Sequence, residues 1–424
     1  MVPTALTVPT AHMVHTKNIL REIEGEFPLL KNNPNLIYLD NACSALKFNS
    51  SINAQRKILA EYGSCAGERS VHLLALKTEE AYKKSRTSIS QIINSKPEEI
   101  VFTSGTTEAF NILANSFKFK ENDEIIISGL EHNSVFLPFY KISKRLNLKI
   151  KIIPIKNYNP DFKEFKKLIN KKTKVLCLSK ASNIFGGIVE TQDIIKYAKE
   201  RDIKVFMDLA QYASTHKIDV EKLSIDAGAF SGHKIGAPYG TGVLYINKDL
   251  YNFLDSSKVG GGTIKEVKKV NGEIKVDFLE GYKAFEAGIQ NYAGAYALSV
   301  AYEKLSEIGF KKIRKHISSL VKYAKDKLSK IKGIKIIGTS LEEGSIISFT
   351  SNIPGFSHPD FSLFVSNYKN KKIAIRHGRV CADLACINSQ INSVIRISFF
   401  IYNTRKDIDI FCQALEDYRS TIDY

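Results

Sequence analysis

Between residues 99 and 246, short runs of β-branched and aromatic residues alternate with longer stretches whose apolar positions recur at helical spacing. The runs are Glu99–Thr103, Glu124–Ser128, Lys149–Pro154, Thr173–Ser179, Lys204–Asp208, Ala227–Phe230 and Gly242–Ile246. This alternation predicts an α/β fold with a large, mainly parallel sheet. Several runs end in Gly, Ser, Asn or Asp, and ligands of such sheets bind at the carboxyl ends of the strands. Gly260-Gly261-Gly262 breaks the rhythm, and a long helical stripe follows Ala301. Strand-like Gly344–Thr350, Ile373–Arg376 and Val394–Tyr402 then alternate with helical stretches over Asp360–Asn370 and Arg405–Arg419, which reads as a second, smaller α+β domain.

Composition narrows the class. With 44% hydrophobic and 25% charged residues over 424 positions, the chain has ample apolar material for a core and is that of a soluble enzyme. A net charge of +17 raises nucleic acid or an acidic membrane as partners. The lysines, however, are scattered on helix faces: Lys311, Lys315, Lys322 and Lys325 interleave with the stripe Ile313, Ile317, Leu320, Val321, Ala324 and Leu328. That is the pattern of a solvated face, and no nucleic-acid motif accompanies it. Cys43, Cys65, Cys177, Cys381, Cys386 and Cys412 are too dispersed for a disulfide framework, and none has a partner pair at zinc-ligand spacing, so no metal is expected. The opening segment lacks the apolar core of a secretory leader and no run is long enough to span a bilayer, which points to a reduced, cytoplasmic setting.

The chemistry concentrates in three places. Ser231-Gly232-His233-Lys234 sits between the run ending at Phe230 and the glycine-rich stretch Gly236–Gly242. A lysine at a strand end inside such a turn is partly desolvated, which lowers its pKa and lets it form an imine; the plain alternative is a surface-loop lysine. Asp208, ending an earlier strand, could keep a pyridinium nitrogen protonated, as a pyridoxal phosphate (PLP) electron sink requires, or could simply cap a turn. Phe102-Thr103-Ser104-Gly105-Thr106-Thr107-Glu108-Ala109 passes from strand through glycine into a helix, presenting N–H groups and hydroxyls where a phosphate is favoured, or an ordinary N-cap.

Together with Tyr38-Leu39-Asp40-Asn41-Ala42, Arg69-Ser70-Val71-His72, Glu131-His132-Asn133, Ser182-Asn183, Asp208-Leu209-Ala210-Gln211, Phe285-Glu286-Ala287-Gly288 and Arg396-Ile397-Ser398, these motifs occur in an order that resembles the class V aminotransferase family. Within it, the chain is most similar to the cysteine desulfurases of the group that also contains selenocysteine lyases. The resemblance implies a PLP-dependent transferase of the type I fold. It divides the chain into an N-terminal segment (1–36) packing with the small domain, a large PLP-binding domain (37–300) and a small C-terminal domain (301–424). It implies Lys234 as the imine-forming lysine, Asp208 as the pyridinium partner, Gln211 on the ring hydroxyl, and His132 stacked on the ring with a catalytic role. Thr106, Thr107, Ser231 and His233 would hold the phosphate. Asn183, Arg376 and Arg396 would meet the substrate.

Arg376-His377-Gly378-Arg379-Val380-Cys381 resembles the family's Arg-x-Gly-x-x-Cys loop, and the two arginines and the histidine are expected to surround Cys381 and favour its thiolate. The implied reaction converts L-cysteine to L-alanine with a persulfide on Cys381. The sulfur would pass to an acceptor protein, with iron-sulfur cluster assembly as its use, and the enzyme would be a homodimer. The alternative is a selenocysteine lyase, with L-selenocysteine as substrate, or another class V lyase or transaminase that forms no enzyme persulfide. Three positions depart from the family pattern: Cys386 follows Cys381 without the usual proline between them, Ile289 replaces a threonine at the subunit boundary, and Glu68 replaces a histidine. Cys386 is either a second thiol near the first or a buried apolar residue.

Overall fold

The computed structural model describes residues 19–67, 70–338 and 344–422. Residues 1–18 of the expected N-terminal segment, and Glu68 and Arg69, lie outside them. The large sheet has seven strands in the order Ile100–Thr103, Gly242–Ile246, Ala227–Ser231, Lys204–Asp208, Thr173–Ser179, Glu124–Ser128 and Lys149–Ile153. Gly242–Ile246 is antiparallel to both neighbours, and every other pairing is parallel. Side chains alternate across a strand, so each one feeds two separate cores. Ile126, Leu176 and Val205 enter one, and Ile125, Val175 and Phe206 the other. Burial on both faces explains why these strands read as continuous apolar runs.

Glu124–Ser128 pairs with Lys149–Ile153 on one side and with Thr173–Ser179 on the other. The order in which strands are added therefore reverses at this point, which opens a crevice beyond the carboxyl ends of the strands. Residues 130–133, 180–183 and 208–211 all emerge there.

A second sheet, ordered Ile334–Ile337, Ile346–Ser351, Val394–Ser398 and Arg376–Gly378, is antiparallel throughout. Phe310–Leu328 is an α-helix, and the whole stripe from Ile313 to Leu328 is buried, as its spacing predicts. Gly309, at φ 91°, breaks the expected stripe into this helix and Tyr292–Ile308. The expected domain junction at residue 300 falls inside the latter helix. Leu36–Tyr38 pairs in parallel with Lys372–Ala374, joining the N-terminal part of the chain to its last third. Phe27 is buried there, its ring 4.6 Å from that of Tyr402. One element carried no signal in the sequence: Ile264–Val270 and Glu273–Phe278 form an antiparallel hairpin with almost every residue exposed.

Candidate active site

All twelve residues singled out from the sequence line a single cleft of about 360 Å³: Thr106, Thr107, His132, Asn183, Asp208, Gln211, Ser231, His233, Lys234, Arg376, Cys381 and Arg396. They reach it from five strand ends of the large sheet and from the small domain.

One end of the cleft is a set of hydroxyls at a helix start. Helix Thr106–Ser116 begins directly after Gly105, whose φ of 153° suits glycine. Gly242 allows this turn to approach, because a Cβ there would lie 2.5 Å from the Gly105 Cα. Thr106 donates its backbone N–H to Ser231 Oγ at 2.9 Å, and the two hydroxyls are also 2.9 Å apart. Thr107 Oγ1 lies 2.7 Å from Ser134 Oγ. His233 stands beside them, its pKa depressed to about 4 by burial and by the charges of Lys234 and Lys47. Hydroxyls, a helix N-terminus and the partial positive charge there suit a phosphate.

Lys234 closes the short turn Gly232–Lys234 after the strand Ala227–Ser231. Burial and the Arg396 charge lower its pKa, while Asp208 opposes them. Asp208 is buried at the end of its strand, accepts the Ala210 N–H at 2.8 Å, and has a pKa raised by burial. Gln211 Nε2 donates to the Ala42 carbonyl at 2.8 Å. His132 caps helix Asn133–Leu146: its Nδ1 accepts the Ser134 N–H at 3.0 Å, which puts the ring proton on Nε2. Burial, Lys234 and Arg396 depress its pKa to about 3, so the ring is neutral. Behind it lies fully buried Glu131, which accepts the Ser179 N–H at 2.8 Å and the Ser179 hydroxyl at 2.6 Å. Burial, with the Asp208 charge adding, raises its pKa to about 8. Sequence reading quoted Glu131 in the Glu-His-Asn motif without giving it a role, and it missed Ser134, the residue after that motif.

The small domain contributes the exposed thiol. Val380 and Cys381 both have left-handed backbone, at φ 47° and 57°, an unfavourable conformation for a β-branched residue and its neighbour. Three bonds to the large domain hold them. Asn183 Nδ2 donates to the Val380 carbonyl at 2.8 Å, the Asn133 N–H to the Cys381 carbonyl at 2.9 Å, and Asn133 Nδ2 to Asp383 Oδ2 at 2.8 Å. Cys386 is buried among Leu130, Ala382 and Val394, and burial pushes its thiol up to about 11. It belongs to the core.

The charged groups are arranged differently from the sequence expectation. Arg376 grips Asp40 through Nε at 3.2 Å and Nη2 at 2.7 Å, and Nη2 also lies 2.8 Å from Cys43 Sγ. Arg379 pairs with Asp383 at 3.4 Å and His377 with Ser362 at 2.9 Å. Each of these three groups thus has a partner of its own, and Arg376 and His377 line the same cleft as Cys381. Arg396 is buried, donating through Nη1 to the Asn183 carbonyl at 2.9 Å and approaching Asp40 only to 3.4 Å. Its Nε is buried with no partner, a donor left for an anionic ligand. Phosphate donors, a carboxylate at a strand end, a neutral imidazole, a low-pKa amine and this unpartnered guanidinium N–H fit PLP together with an amino-acid carboxylate.

The family model for aminotransferase class V matches residues 37–411. A probable cysteine desulfurase of Borreliella burgdorferi is 36% identical over 93% of this chain and 95% of its own. A cysteine desulfurase of Wigglesworthia glossinidia brevipalpis is 36% identical over 93% and 96%. Among solved structures, the apo cysteine desulfurase of Thermococcus onnurineus superposes with a TM-score of 0.87 at 28% identity, covering 99% of this chain and 100% of that one. A cysteine desulfurase of Escherichia coli, in an S-sulfonic acid form, gives 0.84 at 29%, covering 94% and 98%. The strand order, the cleft and these likenesses agree, and the chain belongs to the class V aminotransferase family, among the relatives of its cysteine desulfurases.

Proposed function

We propose that the protein is a PLP-dependent cysteine desulfurase that moves the sulfur of L-cysteine onto Cys381 and releases L-alanine. The observation that carries the reading is the exposed Cys381 thiol, held on a strained loop over the same cleft as Lys234 and Arg396. Bound at Lys234, PLP supplies an electron sink that labilises the substrate's bonds. Arg396 takes the substrate carboxylate with its unpartnered Nε. Lys234, already depressed in pKa, moves a proton at the substrate Cα. Asp208 would hold a proton on the cofactor's ring nitrogen, and neutral His132 would face the ring without adding a charge. Cys381 Sγ then attacks the substrate sulfur: the Sγ–S bond forms as the S–Cβ bond breaks, and protonation of the carbon releases alanine.

The persulfide passes to a protein acceptor, and supply of sulfur for iron-sulfur clusters is its use. Homodimerisation is supported by exposed apolar residues, including Val71 at 82% and Ile289 at 76% exposure. Among the described residues no helix is long and apolar enough to cross a membrane, which accords with a cytoplasmic enzyme. The test is mass spectrometry of the Cys381 peptide after incubation with cysteine. One added sulfur there, matched by alanine, is expected. Alanine without added sulfur would refute the reading in favour of a lyase.

A further inference from the structure

A second thiol lies in the cleft. Cys43 follows Asp40-Asn41-Ala42 in a turn closed by its own N–H donating to the Asp40 carbonyl at 3.1 Å, and it lines the cleft from the N-terminal side of the chain while Cys381 lines it from the small domain. The two thiols face one space and are not an isolated cysteine. Cys177, Cys386 and Cys412, by contrast, are buried.

The surroundings of Cys43 are those of a reactive sulfur. Arg376 places Nη2 2.8 Å from Sγ. The charges of Lys47, Lys234 and Arg396 all act on it, and Lys234 also feels Cys381. A guanidinium N–H against the sulfur steadies negative charge that forms there during sulfur transfer. In the same cleft the buried Arg396 Nε has no partner. Arg376, expected beside Cys381, thus reaches Cys43.

We propose that Cys43 is a second sulfur-carrying residue, which takes the outer sulfur from the Cys381 persulfide. The inference rests on the persulfide reading of Cys381. The outer sulfur comes from a substrate lying inside the cleft, so it faces the cleft interior, where Cys43 lies. The Cys43 thiolate attacks that sulfur, a new bond joins it to Cys43 Sγ, the bond to Cys381 Sγ breaks, and Cys381 leaves as a thiolate. No oxidant or reductant is needed. The persulfide formed carries its negative charge beside Arg376, and Cys381 is free for a second turnover before any acceptor arrives.

The test uses the holoenzyme with cysteine and no acceptor or reductant, quenched with an alkylating reagent and mapped by mass spectrometry. Added sulfur is expected first on the Cys381 peptide and then on the Cys43 peptide, approaching two per chain. Cys43→Ala, with its cofactor absorbance checked, should stop at one per chain, on Cys381. Cys381→Ser should leave Cys43 unmodified. A loaded Cys381 with Cys43 never modified would overturn this inference alone, as would sulfur on Cys43 in Cys381→Ser, which would mean direct transfer from substrate. Alanine release with sulfur on neither residue would overturn the parent reading and this one with it.

Discussion

Asp383→Ala should slow persulfide formation without disturbing the cofactor site, because the Cys381 loop is close to energetic balance. Left-handed backbone at Val380 and Cys381 costs about 1–2 kcal/mol per residue. Against this stand the three bonds from Asn183 and Asn133, each contributing about 0.5–1.5 kcal/mol. Strain and anchoring are thus of similar size, and loss of one bond shifts the docking of the loop substantially. Asp383→Ala removes the 2.8 Å bond from Asn133 Nδ2. The 3.4 Å pair with Arg379, with both side chains nearly half exposed, adds little. A loss of about 1 kcal/mol lowers the docking equilibrium constant about five-fold, which from near balance cuts the docked population, and with it the single-turnover rate of Cys381 persulfide formation, about three-fold. Cofactor absorbance and its change on adding cysteine should be unaltered. Asp383→Asn, which keeps an acceptor oxygen for Asn133, should recover most of the rate. Wild-type kinetics in Asp383→Ala, or an Asn variant as slow as Ala, would refute the account.

Borohydride reduction of the holoenzyme followed by peptide mapping should label Lys234, and Lys234→Ala should lose both label and turnover. Glu286→Ala strips the buried Arg86 of its 2.7 Å partner and leaves the Phe102 N–H and Tyr82 hydroxyl unmet, so the denaturant midpoint should fall by the equivalent of about 3–5 kcal/mol. His132 and His233 have pKa values of about 3 and 4 against an ordinary 6.5, so the unfolded chain binds protons that the folded chain does not. The contribution of these two histidines to stability should therefore be full above about pH 6.5 and decline as pH falls toward those values, and His132→Gln should flatten that part of the slope in denaturant titrations. Cys386→Ala should leave the decay of the Cys381 persulfide unchanged, since the Cys386 thiol is buried with a pKa of about 11.

The large sheet was legible because its strands are buried on both faces and end in polar residues. Each predicted run lies within two residues of a strand, and the cleft residues follow from the strand ends. The hairpin Ile264–Phe278 was illegible for the opposite reason: apolar residues recur every third position in Ile264–Val270 and every second in Glu273–Phe278, and neither face is covered, so no buried side selects a period. Leu36–Tyr38 and Lys372–Ala374 are three-residue strands far apart in sequence, and their pairing depends on the tertiary fold. In the site, residue types were readable but partners were not. Arg376, His377 and Arg379 stand next to Cys381 in sequence, but long charged side chains go where a counter-charge lies, and Asp40 is more than three hundred positions away.

Asp40 explains why the two cleft arginines differ. Arg376 and Arg396 face each other across adjacent strands, a register that sets two positive charges side by side. Such a pair is tolerable only with an anion between them, and the N-terminal part of the chain delivers one: Asp40 bridges to Ser398, fixed by the Ser398 N–H donating to the Leu39 carbonyl at 2.7 Å. The carboxylate is shared unequally. It takes the fork of Arg376 at 2.7 and 3.2 Å and meets Arg396 only at 3.4 Å. Arg376 is therefore engaged on the protein side, where it also reaches Cys43, whereas Arg396 keeps its buried Nε without a partner. An incoming carboxylate finds its unmet donor at Arg396, and the resident carboxylate keeps Arg376 turned toward the second thiol.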